Sequence, residues 1–152
     1  GQNEAAFRRS AFIESNRSLP LNMLATFDLP EMKPNCDLRR STTVATQSLW
    51  FLNDDQIIRL TGGLADRLFT NNPIKADQRL DALFRKLFAT APTDEEKRYL
   101  SSFLGRQEEL FRADPNAEWQ KKIKAQPDAP ARRALAALAQ VLMASNRFLY
   151  ID

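Results

Sequence analysis

The chain has 152 residues, 43% hydrophobic and 27% charged, with 22 basic and 19 acidic side chains and a net charge of +3. That composition belongs to one folded domain rather than a disordered or membrane-spanning chain. A chain of this length can bury about 70% of its unfolded surface, so an ordinary core is available to it. Charges of both signs are spread along its whole length, so no basic block marks a nucleic-acid or acidic-membrane surface. No apolar run reaches the ~18 residues of a membrane span.

There is no histidine, and Cys36 is the only cysteine. This chain alone therefore cannot build a Ser-His-Asp or Cys-His nucleophilic system, a Cys/His zinc site or a Cys-x-x-Cys-His haem attachment. An intrachain disulfide is excluded, and a dinucleotide fingerprint is missing. The expectation is no metal site and no haem, zinc or flavin cofactor. Gly1 stands where an initiator methionine would and reads as a scar left by a protease, so it carries no fold information. The chain itself reads as the end of a longer protein.

Four glycines and little period-two alternation point to helices. The fold class expected is all-α, a single bundle of about five to six helices with αα-hairpins and an extended N-terminal arm, over residues 2–152. Residues 7–17 fit neither the helical nor the strand period and read as that arm. Phe7, Phe12 and Ile13 give it apolar side chains that can fray, fold back on the helices or dock on a second copy; ordered contacts with some self-association are the expectation. Ser18 to Phe27 reads as a helix with Pro20 in its first turn. Asp28 to Ser41, with Pro30 and Pro34, reads as a loop.

Thr46 to Leu52 reads as a short helix turned at Asn53-Asp54. Asp55 to Phe69 follows, with Ile57, Ile58, Leu60, Leu64 and Leu68 apolar and Asn53 or Asp54 as its cap. Gly62-Gly63 in its middle predicts a kink or a close helix crossing ahead of a ligand approach. Leu80, Leu83, Phe84, Leu87 and Phe88 form an i, i+3, i+4, i+7, i+8 stripe, and Ala91-Pro92 closes that helix. Its start is open between Pro73 and Asp77.

Thr93-Asp94-Glu95-Glu96 is a capping box that opens a helix carrying Tyr99, Leu100, Phe103, Leu104, Leu110 and Phe111. The two helices make an αα-hairpin. Residues 113–130 read as a polar connection with a short helix near Trp119. Arg132 to Asn146 reads as an alanine-rich helix packed close to its neighbours, with Pro127 and Pro130 delimiting its start.

Arginine at the edges of irregular segments is the one chemical signal. Arg17, Arg39, Arg40 and Ser41, with Arg8, Arg9 and Thr42, offer guanidinium and hydroxyl donors to a phosphate, sulfate or carboxylate. Asp28, Glu31 and Asp37 offer them structural partners instead, and that is the weightier reading. Asn53-Asp54-Asp55 lacks the spacing of a calcium loop and reads as a helix cap. Trp50-Phe51 reads as core before it reads as a sugar platform. No acid pair stands out for general acid-base work.

Five motifs in order carry a resemblance. They are Arg9-Ser10-Ala11-Phe12-Ile13 with Asn16-Arg17; Ala25 to Pro30; Cys36 to Thr43 leading to Gln47-Ser48-Leu49-Trp50-Phe51-Leu52-Asn53-Asp54; Ala91 to Glu96; and Leu142 to Asp152. Together they resemble the C-terminal part of the planctomycete domain-of-unknown-function family (PSD-type), which occurs in large proteins with planctomycete-type cytochrome c domains. Ala45-Thr46 depart from a common proline, and Gly62-Gly63 from an alanine-rich helix. The resemblance implies an exported protein, periplasmic or at the cell surface, whose haem lies in another domain. It implies the rest of that parent protein, including a cytochrome c domain, as partner. It establishes no catalytic residue. An interaction or assembly module is the first expectation; part of an enzyme, or of a carbohydrate- or anion-binding domain, is the alternative.

Overall fold

The computed structural model describes residue 26 and residues 44–70, 76–114 and 126–149. Among them are six helices and no strand: α1 (Val44–Asn53), α2 (Asp55–Thr70), α3 (Ala76–Phe88), α4 (Asp94–Ala113), α5 (Ala129–Met143) and α6 (Asn146–Leu149). The all-α expectation holds. The N-terminal arm, the loop 28–41 and the segment around Trp119 lie outside the described residues. So does the expected helix 18–27, apart from Thr26, which is helical.

Asp54 divides α1 from α2. Its N–H donates to Trp50 O at 2.9 Å, closing α1. Its Oδ1 then accepts from the N–H groups of Gln56 (2.9 Å) and Ile57 (3.2 Å), which α2 would otherwise leave unpaired. Of the two cap candidates, Asp54 is the one used; Asn53 donates its side-chain amide back to Leu49 O. The predicted capping box also forms. Thr93 Oγ1 accepts from Glu96 N, and Glu96 Oε2 accepts from Thr93 N at 2.7 Å.

α5 is the central helix. Its most extensive contacts are with α4 and α2. Buried Ala134 and Ala139, with Ala65 on α2, let backbones approach, while Leu135, Leu138 and Leu142 meet Leu80, Leu83 and Phe84 of α3. Fully burying such a leucine contributes roughly 1.5–3 kcal/mol. A second cluster, Phe51, Ile57 and Met143 with Trp50 and Phe148, joins α1 and α6 to the end of α5. Phe51 sits edge-on to Trp50 (5.4 Å between centroids) and to Phe148 (5.8 Å), so the Trp50-Phe51 pair is core, as expected.

Three details depart from the sequence reading. α5 begins at Ala129 with Pro130 inside its first turn, where a missing N–H costs nothing, rather than after the proline. It ends at Met143 instead of continuing to Asn146; Ser145 caps the return into α6 through its carbonyl. Of the apolar residues that the sequence places on these helices, Tyr99 (70% exposed), Leu110, Ile58 and Leu60 lie outside the core.

Ala89, just past α3, has φ 58°, the left-handed conformation that favours glycine. Its N–H caps Arg85 O at 2.9 Å, so the turn is made at a cost to alanine of about 1 kcal/mol. Ala89→Gly is therefore expected to raise stability by about 0.5–1 kcal/mol, read from the urea midpoint. An unchanged or lower midpoint would show that this turn carries no conformational strain.

Arg147 fastens α6 across the α3–α4 turn. It donates to Glu96 Oε1 at 2.8 Å and Thr90 Oγ1 at 3.0 Å, and its guanidinium lies over Phe84 and Phe88. The Glu96 carboxyl is held below its ordinary value, first by the Thr93 N–H and further by the Thr93 hydroxyl and Arg147, against a smaller opposing effect of burial. A carboxyl depressed in the folded state adds stability that is complete above its unfolded value and is lost as pH falls through the folded one. Stability should thus decline as pH drops through and below 4.5, the ordinary glutamate value. In Glu96→Gln the decline should be shallower, measured as melting temperature against pH.

Candidate functional site

A groove of about 950 Å³ lies between the end of α1, α2, the end of α4 and α5. Its apolar lining is Leu52, Ile58, Gly62, Phe111, Ala129, Ala136 and Ala137. Polar groups enter from Thr61, Asp66, Gln126, Arg132, Arg133 and Gln140. Seven of the thirteen lining residues are apolar and six are polar or charged, so the cleft is mixed; ligand sites are usually concave and of about this size.

Each polar group has a different standing. Thr61 is buried and donates its hydroxyl to Ile57 O at 2.9 Å, so it is satisfied within its own helix. Arg132 is locked: Nε donates to Asp128 Oδ2 at 2.9 Å, Nη2 lies 2.8 Å from the same oxygen in an ion pair, and Nη1 donates to Asp66 Oδ1 at 3.2 Å. Its guanidinium also lies 4.7 Å from the Phe69 ring centre, with Arg79 at 4.0 Å from the same ring. The Asp128 bond raises the Arg132 pKa, and the same bond lowers that of Asp128. Asp128 precedes α5 as its N-cap residue but makes no side-chain cap bond there; its carboxylate goes to Arg132.

Arg133 lies 4.8 Å from the centre of the Phe111 ring. Burial lowers its pKa, partly offset by the negative charge of Asp114. Gln140 differs from all of these. Its Nε2 is buried and has no hydrogen-bond partner among the described residues. Leaving an amide donor in that state costs about 1–3 kcal/mol.

The arginine cluster read from sequence, Arg17, Arg39, Arg40 and Ser41, lies outside the described residues, as do Arg8, Arg9, Thr42 and Cys36. The described structure brings together another pair of arginines, Arg132 and Arg133, which the sequence reading passed over as the start of a helix. Asp128 four residues before Arg132 was the available signal, an i, i+4 pair at a helix start. Asp54 acts as a cap, and no group of three or more metal-ligating side chains occurs among the described residues. Neither Gly62 nor Gly63 sits at a close crossing. The helix is continuous through both, and an added Cβ at either would meet nothing within 4 Å. Gly62 lines the groove.

The model of the PSD1 family, described as a protein of unknown function (DUF1553), matches residues 1–104. The chain belongs to the PSD1 family. No curated protein and no solved structure matches it. The match ends within α4, whereas the motif resemblance ran to Asp152. In this PSD1 chain, however, the core is shared across that limit: Leu80, Leu83 and Phe84 pack on Leu135, Leu138 and Leu142. Groove residues likewise come from both sides of it, Leu52 to Asp66 before and Phe111 to Gln140 after.

Proposed function

We propose that this PSD1 segment is an assembly module, a helical unit whose task is to pack against another polypeptide. The observation that carries this reading is α1. Its sequence, VATQSLWFLN, contains no charged residue in a chain that is 27% charged. Phe51 covers the inner face, yet the outer face, with Ala45, Thr46, Leu49, Leu52 and Asn53, is exposed and uncharged. A helix that faces water on one side ordinarily places charge there, and a helix apolar all round is ordinarily covered all round. Leu49 is 58% exposed.

The partner we propose is the rest of a longer, exported multidomain protein, in which a cytochrome c domain carries haem. The motif resemblance supports that setting, and α1 supplies the surface. Among the described residues no helix is long and apolar enough to cross a membrane. Less supports an enzymatic role: the one carboxylate that lines the groove, Asp66, is exposed and bonded to Arg132.

The test is binding of the chain to the separately produced remainder of its parent, with Leu49→Glu as the variant. The substitution should leave the isolated chain's unfolding free energy within about 0.5 kcal/mol, because an exposed site far from the core is changed. It should weaken association about 30-fold, as loss of a central apolar anchor does. Equal binding by wild type and variant would remove α1 as the interface.

A further inference from the structure

Among the described residues the apolar side chains fall into two clusters, and α1 and α6 contribute only to the smaller one. That cluster is Phe51, Ile57 and Met143 with Trp50, Phe148 and Leu149, whereas the larger one takes no side chain from either helix. Leu87 of α3 borders both. α1 is attached where α5 passes into α6. Phe51 meets Phe148 edge-on at 5.8 Å, and Ser48 Oγ donates to Ala144 O at 2.8 Å.

α6 has little of its own to hold it. It is four residues long and has no buried residue. The N–H groups of Phe148 and Leu149 share one acceptor, Ser145 O, at 3.0 and 3.1 Å. A single helical turn is unstable alone in water, so α6 depends on what it touches. Phe148 lies against Phe88 at 6.3 Å, and Arg147 grips Glu96, Thr90 and the rings of Phe84 and Phe88. Phe84 belongs to the larger cluster and Phe88 packs against it. Glu96 is itself fixed by its capping bond to Thr93 N. Arg147 thus ties α6, and through it Phe51 and Ser48, to the helices of the larger cluster.

We propose that α1 and α6 form one cooperative unit, clasped to the rest of the fold by Arg147, which opens and closes as a whole and so sets how firmly α1 is presented. Arg147 is a positioning residue that acts on α1 through Phe148 and the Ser48–Ala144 bond. The clasp is a property of the isolated chain, so it goes beyond the assembly role and does not depend on it.

Amide hydrogen exchange of the full chain reads such openings residue by residue. In the wild type, Trp50 and Phe51 of α1 should share one opening equilibrium and one urea dependence with Phe148 and Leu149 of α6. Their protection should be lower than that of Leu138 in α5 by about 10-fold or more. Coupling between two elements is reciprocal, so a change on either must loosen the other. Arg147→Gln, on α6, should speed exchange at Trp50 and Phe51 by about 10-fold, the effect of losing a charge-assisted hydrogen bond and its ring contacts. Ser48→Ala, on α1, should speed exchange at Phe148 and Leu149 by about 5-fold.

Protection of α1 and α6 equal to that of Leu138 would show that they open only with the whole fold, and would overturn the proposal. It is overturned equally if Arg147→Gln speeds exchange in α6 alone, or if Ser48→Ala does so in α1 alone. Leu49→Glu, which tests the assembly surface, should leave exchange in α6 unchanged, so the two readings fail separately.

Discussion

Leu83→Ala should lower the unfolding free energy by about 2–5 kcal/mol. Leu83 is 0% exposed and lies on α3 within the cluster that joins α2, α3 and α5. Truncation removes the transfer free energy of its buried methyl groups and leaves a cavity that neighbouring helices cannot close without moving. Leu80, Phe84, Leu135 and Leu138 are each fixed by other contacts in the same cluster, so collapse is limited. Because domains are typically stable by only 5–15 kcal/mol, the variant should unfold at a much lower urea concentration. Leu110→Ala is the control: that side chain is 58% exposed and its removal should change stability by no more than about 0.5 kcal/mol. Similar midpoints for the two variants would contradict the packing described for α3.

The opposite sign is expected at Gly62 and Gly63. Each glycine in a helix interior costs about 0.8–1 kcal/mol relative to alanine, through the backbone freedom it surrenders on folding. Most glycines inside helices are kept because a neighbour leaves no room for a Cβ. Neither of these is so placed, since nothing lies within 4 Å of the position an added Cβ would take. Gly62→Ala/Gly63→Ala should therefore stabilise the chain by about 1.6–2 kcal/mol, raising the melting temperature by roughly 3–8 °C for a domain of this size. A fall in melting temperature would mean that α2 meets a neighbour at these glycines. A rise, for a pair that helix propensity disfavours, fits retention of Gly62 for the groove it lines.

Much of the fold was legible from residue spacing. The stripe from Leu80 to Phe88 and the Thr93-to-Glu96 box depend on contacts three or four residues apart, and the structure places both as the pattern requires. The Leu135, Leu138, Ala139 and Leu142 face of α5 was legible for the same reason. Periodicity marks which side of a helix is apolar, however, and not whether anything covers it. Ile58, Leu60, Tyr99 and Leu110, apolar residues of predicted helices, are exposed for that reason.

The groove was not legible at all. Phe111 and Gln140 lie far from Gly62 in sequence and meet only because α5 packs between α2 and α4. A buried amide without a partner has no sequence signature, since glutamine on an alanine-rich helix reads as a solvated position. The arginines that sequence did mark, Arg17, Arg39 and Arg40, were chosen for their irregular surroundings, and they lie outside the described residues.

The assembly role is tested most directly by a thiol at position 49. With Cys36→Ser as background, Leu49→Cys places the chain's single reactive thiol on the outer face of α1, where the side chain is 58% exposed. Its rate of reaction with a maleimide is measured in the isolated chain and in the intact parent protein. The assembly reading predicts rapid labelling of the isolated chain and labelling slower by about 10-fold or more in the parent, where a partner surface covers Leu49 in all but a minor, open fraction of molecules. Equal rates in the two proteins would show that α1 faces water in both, and would contradict it.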